Sequence, residues 1–187
     1  ARALDVSVAP IDRHKPVIID ESDADETSFV TARARGYRGV SSKTCKGTFR
    51  ALANALRCRL WNEGASAERY FMTGEDLTAQ AGLAVQQDCA LVSLLGLTHV
   101  ERNGHHYVNG FANTPQREQR AFLAAHSSFY EAAGDRVRLA IRGGDLDLSS
   151  LFVPGLATRV LPDWHAMQPM AQPQLNRFGQ TGRSSYA

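Results

Sequence analysis

The 187-residue chain carries 21 basic and 19 acidic residues, a formal net charge of +2, with 43% hydrophobic and 21% charged residues. That balance is ordinary for a globular protein and gives little electrostatic reason to expect a nucleic-acid partner, since no clustered basic stripe is present. No apolar run approaches the roughly 20 residues a membrane span needs, and no secretory-type segment is read, so a cytoplasmic protein with one core, or a core plus a small satellite, is expected.

Three cysteines, Cys45, Cys58 and Cys89, form an odd set without CxxC spacing. They suggest buried or incidental thiols rather than a disulfide framework or a zinc site. The sequence opens Ala-Arg-Ala without an initiator Met. It is expected to be a piece of a longer protein.

From Pro16 onward, short apolar runs alternate with helical patterns. "PVIID" is followed by a helix over 26–35, with Ser22 or Asp23 as N-cap and Gly36 just past the end. "YRGVSSK" leads into Phe49, Leu52, Ala53, Leu56 and Leu60, one apolar stripe at helical spacing. "RYFMTGED" continues into Ala81, Val85, Cys89, Val92 and Leu95, closed by Gly96, and the fourth strand, "LTHVE", runs into "RNGHHYVNG". Units of this kind predict βα repeats on a parallel sheet, either part of a (β/α)8 barrel or a small doubly wound sheet.

After Asn113 the pattern changes. A helix is expected over 116–133, and "RVRLAIRGGDLDLSSLF" predicts a hairpin turning at Gly143-Gly144, with Val137, Leu139 and Ile141 alternating on one side and Leu146 and Leu148 on the other. Trp164 and His165 are expected to pack, and the last dozen residues, "NRFGQTGRSSYA", to be loose.

In a parallel βα array the functional side chains gather at the carboxyl ends of the strands. Those ends carry Asp20-Glu21, Lys43, Glu75-Asp76 and Glu101. Alternation along a strand puts Asp20 and Glu21 on opposite faces, so each face of that tip offers a single carboxylate. Lys43 lies one βα unit after Asp20, which sets a carboxylate and an ammonium at one level on neighbouring strands. The plain reading is a capping Asp paired with a rim Lys. The chemical reading is a hard-cation ligand beside a lysine whose pKa a dry pocket or a metal lowers until it acts as a base.

"VIIDES", "GYRGVSSKTCKG" and "TGEDLTAQAGLAVQQDCALVSLLGLTHVERNGHHY" together resemble the fifth to eighth barrel strands of the enolase superfamily, on the side of its muconate-lactonizing and dipeptide-epimerase-like branch. "HSSFYEAAGDRVRLAIRGGDLDLSSLFVPGLAT" is similar to the segment that returns to that family's capping domain. The resemblance implies an α/β fold: residues 1–112 as the last four βα units of a TIM barrel, and 113–187 as a C-terminal segment of helix, hairpin and tail. It implies Asp20 as a Mg²⁺ ligand, Lys43 as the general acid/base, and Glu75 and Glu101 as supports of the substrate carboxylate or the proton-transfer network.

The expected activity of the full-length protein is therefore metal-dependent abstraction of the α-proton of a small-molecule carboxylate, ending in racemisation, epimerisation, cycloisomerisation or elimination. Homo-oligomers are expected of it, and no turnover from these residues alone. "SSKTCKG" departs from the family's usual text around the lysine, which leaves Lys46 as a second candidate base. The adjacent His105 and His106 point apart and are expected in a loop or substrate pocket rather than on a metal. The alternative is a noncatalytic module that keeps the fold as an interaction unit. A doubly wound phosphate-binding domain is disfavoured, because no Gly-rich loop follows the first strand.

Overall fold

A computed structural model describes residues 3–75, 81–101, 110–111, 114–155 and 157–167. Four short runs rich in apolar residues form β1 (Ile18–Ile19), β2 (Gly39–Ser42), β3 (Phe71–Glu75) and β4 (Val100–Glu101). They pair in parallel in the order β1-β2-β3-β4. The register sets Ile19 against Val40, Ser41 against Thr73 and Glu75 against Glu101.

Parallel neighbours need crossovers, and helices supply them: α2 (Ser28–Ala34), α3 (Thr48–Asn62) and α4 (Leu83–Leu94), after a short α1 (Ala9–Asp12). Because the strand order never reverses, crossovers of one hand put their helices on one face of the sheet. Ile19 and Val40 accordingly share a core with Phe29 and Ala32 of α2 and Cys58 of α3, with Met72 and Trp61 packed against it. Arg33 lies over the Trp61 ring at 4.5 Å, fixing α2 to α3 by a cation–π contact. The opposite sheet face carries Gly39, Ser41, Thr73, Glu75 and Glu101. A Cβ on Gly39 would stand 2.6 Å from the Phe71 carbonyl oxygen, so only glycine permits this approach of β2 to β3.

Gly36 and Gly96 follow the ends of α2 and α4 in the left-handed region, as the sequence predicts. The start of α2 differs. Asp25, rather than Ser22 or Asp23, organises it: its Oδ1 accepts from the Thr27 backbone N–H at 2.8 Å and from the Thr27 and Ser28 hydroxyls. The α3 stripe is also placed differently. Phe49 is 90% exposed and Leu52, Leu56 and Leu60 are exposed with it, while Ala51, Asn54 and Cys58 face inward. Small side chains let the helix sit close over the sheet, so the bulky residues occupy the far side.

A second core forms where α4 meets α5 (Gln116–Ala125) and the antiparallel hairpin β5 (Tyr130–Ala133) and β6 (Arg136–Leu139). Val85, Phe111, Phe122, Phe129, Tyr130, Val137, Leu139 and Leu151 are buried in it. Its aromatic centroids stand 4.9–6.3 Å apart, at tilted and edge-on angles. The Gly82 N–H donates to the Tyr130 hydroxyl at 3.0 Å, which ties the hairpin to the start of α4.

The hairpin lies upstream of the predicted one, and α5 stops eight residues before the predicted helix end at Ala133. Burial of Phe129 and Tyr130 outweighs the helical propensity of "YEAA" and turns it into a strand. Gly143-Gly144 does make a turn, with Arg142 and Asp145 exchanging both backbone hydrogen bonds, but no ladder extends from it. Trp164 is 57% exposed in a single 3-10 turn, contrary to the expected packing. The three cysteines are free thiols, Cys45 exposed and Cys58 buried. Burial pushes the Cys58 and Cys89 thiols up to about 12. Among the described residues no helix is long and apolar enough to cross a membrane. The tail 176–187, Asp76, His105 and His106 lie outside the described residues.

Candidate functional site

β1 ends after Ile19, and the chain turns at once, with the Asp23 N–H donating to the Asp20 carbonyl at 2.9 Å. Strand alternation therefore stops governing Asp20 and Glu21, and the expectation that they face opposite sides is overturned. Both carboxylates reach the same ammonium: Lys43 Nζ donates to Asp20 Oδ2 at 2.8 Å and to Glu21 Oε1 at 3.0 Å. From the end of β3, Glu75 Oε2 completes the group at 3.1 Å. Three acceptors use the three hydrogens that an ammonium offers.

Lys43 follows β2 directly in extended conformation and is 4% exposed. Burial alone would lower its pKa, but the hydrogen bonds it donates to Asp20, Glu21 and Glu75 reverse this and raise it well above the ordinary 10.5. This departs from the expectation of a lysine whose pKa a dry pocket lowers: the carboxylates favour Lys43 as the charged acid. Burial raises the Asp20 pKa, and the two lysines outweigh it, leaving the carboxyl below its usual value. The three ion pairs are unequal. The Glu21 side chain is 83% exposed and its pair contributes at most about 1 kcal/mol, whereas Glu75 is 13% exposed and Asp20 32%.

Lys46 stands beside this group in a different setting. Its Nζ donates to Asp20 Oδ1 at 2.9 Å and to the backbone carbonyls of Asp20 and Ser41 at 2.8 and 2.9 Å. Two of its three acceptors are main chain, so Lys46 is a clamp on the turn and the strand end. Lys43, surrounded only by carboxylates, is the better placed of the two for proton chemistry. The loop between them is held from α4: the Thr44 N–H donates to Asp88 Oδ1 at 3.1 Å, and burial raises the Asp88 pKa.

The structure thus brings together Asp20, Lys43 and Glu75 of the predicted residues. Glu101 pairs with Glu75 in the ladder and shares its face, but is exposed, and no hydrogen bond or ion pair joins it to Lys43. Sequence reasoning missed the place of Glu21 in the cluster. The signal was the following "SD", which lets the chain turn immediately after Asp20.

Mg²⁺, which the resemblance implies, does not fit the residues present. Both Asp20 oxygens are held by ammonium groups, and among the described residues no group of three His, Cys, Asp or Glu could hold a metal. An ion would have to displace Lys43 and Lys46 from Asp20 and find its further ligands elsewhere.

No protein-family model, no curated protein and no solved structure matches this chain.

Proposed function

We propose that this chain carries the proton-donating side of an enzyme centre that exchanges the α-proton of a carboxylate substrate, and that its sheet is the last four units of an enolase-like (β/α)8 barrel. The observation that carries the reading is the Lys43 ammonium, buried at a strand end and held by carboxylates from two neighbouring strand tips. Four consecutive parallel strands without a reversal of order support a barrel segment over a doubly wound sheet, in which the order must switch.

Lys43 is the proton carrier in this reading. Held charged, it donates to the α-carbon after a base opposite it, outside the described residues, has taken the α-proton, and the neutral amine formed regains its proton from solvent. Asp20 and Glu75 aim the ammonium, and Lys46 fixes Asp20 by its second oxygen. No step here runs through a metal ion, since both Asp20 oxygens are held by ammonium groups.

The test is solvent-deuterium incorporation at the α-carbon of a panel of α-substituted carboxylates, followed by proton NMR in the full-length protein. Lys43→Ala should abolish incorporation, while Lys46→Ala should retain a measurable part of it. Incorporation unchanged in Lys43→Ala would remove Lys43 from this role. These 187 residues alone should show no turnover.

A second reading is favoured by one observation, the acceptance of all three Lys43 hydrogens by carboxylates. On that reading the cluster is a structural ion-pair knot in a noncatalytic module. Loss of stability in Lys43→Met, together with no exchange activity in any full-length form, would select it.

A further inference from the structure

Beside the lysine pair lies a small polar cell whose lining includes Asp23, Ser42, Lys43, Lys46, Arg50 and Asn54. Asp23 and Ser42 are each 4% exposed and Asn54 is 1% exposed. The cell measures about 10 Å³. A cavity of roughly 10–15 Å³ is what one water molecule needs, provided two to four polar groups face it.

Two buried polar atoms in its wall have no hydrogen-bond partner: Asp23 Oδ1 and Ser42 Oγ. Every other polar group of Asp23 is engaged. Its Oδ2 accepts from Asn54 Nδ2 at 3.2 Å, its carbonyl from Arg50 at 2.6 Å, and its N–H donates to the Asp20 carbonyl. A buried carboxylate oxygen and a buried hydroxyl left bare in the same cell are costly, and one donor-acceptor molecule would satisfy both. A cation would satisfy only Asp23, and the neighbouring positive charges of Lys46 and Arg50 oppose it.

We infer that this cell binds one ordered water molecule, which donates a hydrogen bond to Asp23 Oδ1 and shares another with Ser42 Oγ. The water ties the end of β2 to the turn that carries Asp20, and so bolts that turn to the sheet beside Lys43 and Lys46, which also line the cell. The inference stands whether or not Lys43 moves protons, since it uses only the packing of Asp23 and Ser42.

The experiment is a crystal structure of the 187-residue chain at a resolution that shows ordered water, together with amide hydrogen exchange in solution. A single peak within hydrogen-bonding distance of both Asp23 Oδ1 and Ser42 Oγ is expected. In Ser42→Val, whose methyl groups occupy the cell, the peak should be absent and protection of the Asp23 amide should fall about tenfold, the scale of one buried hydrogen bond. A direct Asp23–Ser42 contact with no peak would overturn the inference. So would an ion with short metal-type distances, or a filled cell in Ser42→Val with Asp23 protection unchanged. Should the variant not fold, the unmodified chain still decides: water-to-amide NOEs at Asp23 and Ser42 are expected, and their absence, with no peak in the crystal, counts against the water.

Discussion

The two halves of this molecule are held together by different physics. The second core is an aromatic cluster beside which a buried histidine finds partners for both ring nitrogens: His126, fully buried, takes the Arg159 N–H on Nε2, which leaves Nδ1 to donate to the Ser150 carbonyl. The first core is thinner, and at its strand ends it keeps a cluster of charges whose acceptors and donors come from three separate segments. A closed network specifies a shape. A network of convergent charges at the mouth of a sheet also stores the means to bind or move a proton, and that contrast is why the candidate site belongs to the first half.

The comparison can be broken most forcefully in the aromatic core. Phe122 is fully buried between Phe111 and Tyr130, so Phe122→Ala should cost about 3–5 kcal/mol, read as a drop in the denaturant midpoint. Loss confined to the second half, with hydrogen exchange in β2 unchanged, would show that the halves unfold separately. Next in size is Lys43→Met, which keeps the stem but removes the ammonium shared by Asp20 and Glu75, leaving Asp20 to Lys46. A cost of about 2 kcal/mol is expected, below the value for a fully buried pair because Glu21 and part of Asp20 meet solvent.

Acid should then separate the halves. Burial holds the His126 pKa below its ordinary 6.5, so its contribution is complete above 6.5 and is lost as pH falls through the folded value. Asp20, held low by the two lysines against burial, keeps its contribution above 3.8 and loses it only as pH falls through a still lower value. Burial holds Asp23 and Asp88 above 3.8, which works in the opposite sense, since folding is favoured as pH falls through their folded values. Between pH 6.5 and about 4, exchange protection should therefore fall in α5 and the hairpin before it falls in β2. The raised Lys43 gives the converse limb: its contribution is complete below 10.5 and is lost as pH rises through its folded value. The smallest effect belongs to Phe49→Ala. At 90% exposure its removal should change stability by less than about 0.5 kcal/mol, despite its place in the apolar stripe. A loss of several times that would mean the stripe is covered in solution.

What the sequence made legible was whatever depends on nearest neighbours along the chain. The βα alternation and the glycines after α2 and α4 are local, and the spacing that brings Lys43 to Asp20 across one βα unit follows from that alternation. Readings that required knowing what lies across the core failed. "YEAA" is a strand only because Phe129 and Tyr130 are buried beside α5, and the outward turn of Phe49 and Leu56 follows from the small Ala51 and Cys58 on the sheet side of α3. The charge state of Lys43 was hidden for the same reason, since it depends on how many carboxylates converge on one ammonium.

The sequence contains two tryptophans. Trp61 lies beneath the Arg33 guanidinium and beside Phe29 and Tyr70 in the first half, whereas Trp164 stands open to solvent near the end of the second. Their indoles sit in opposite dielectric surroundings, so the molecule has a spectral label in each half. With Trp164→Phe, emission reports only the seam between α2 and α3. Collisional quenching of Trp61, partly covered in the folded chain, should rise as that seam opens, so it follows the charged sheet without interference from the aromatic core.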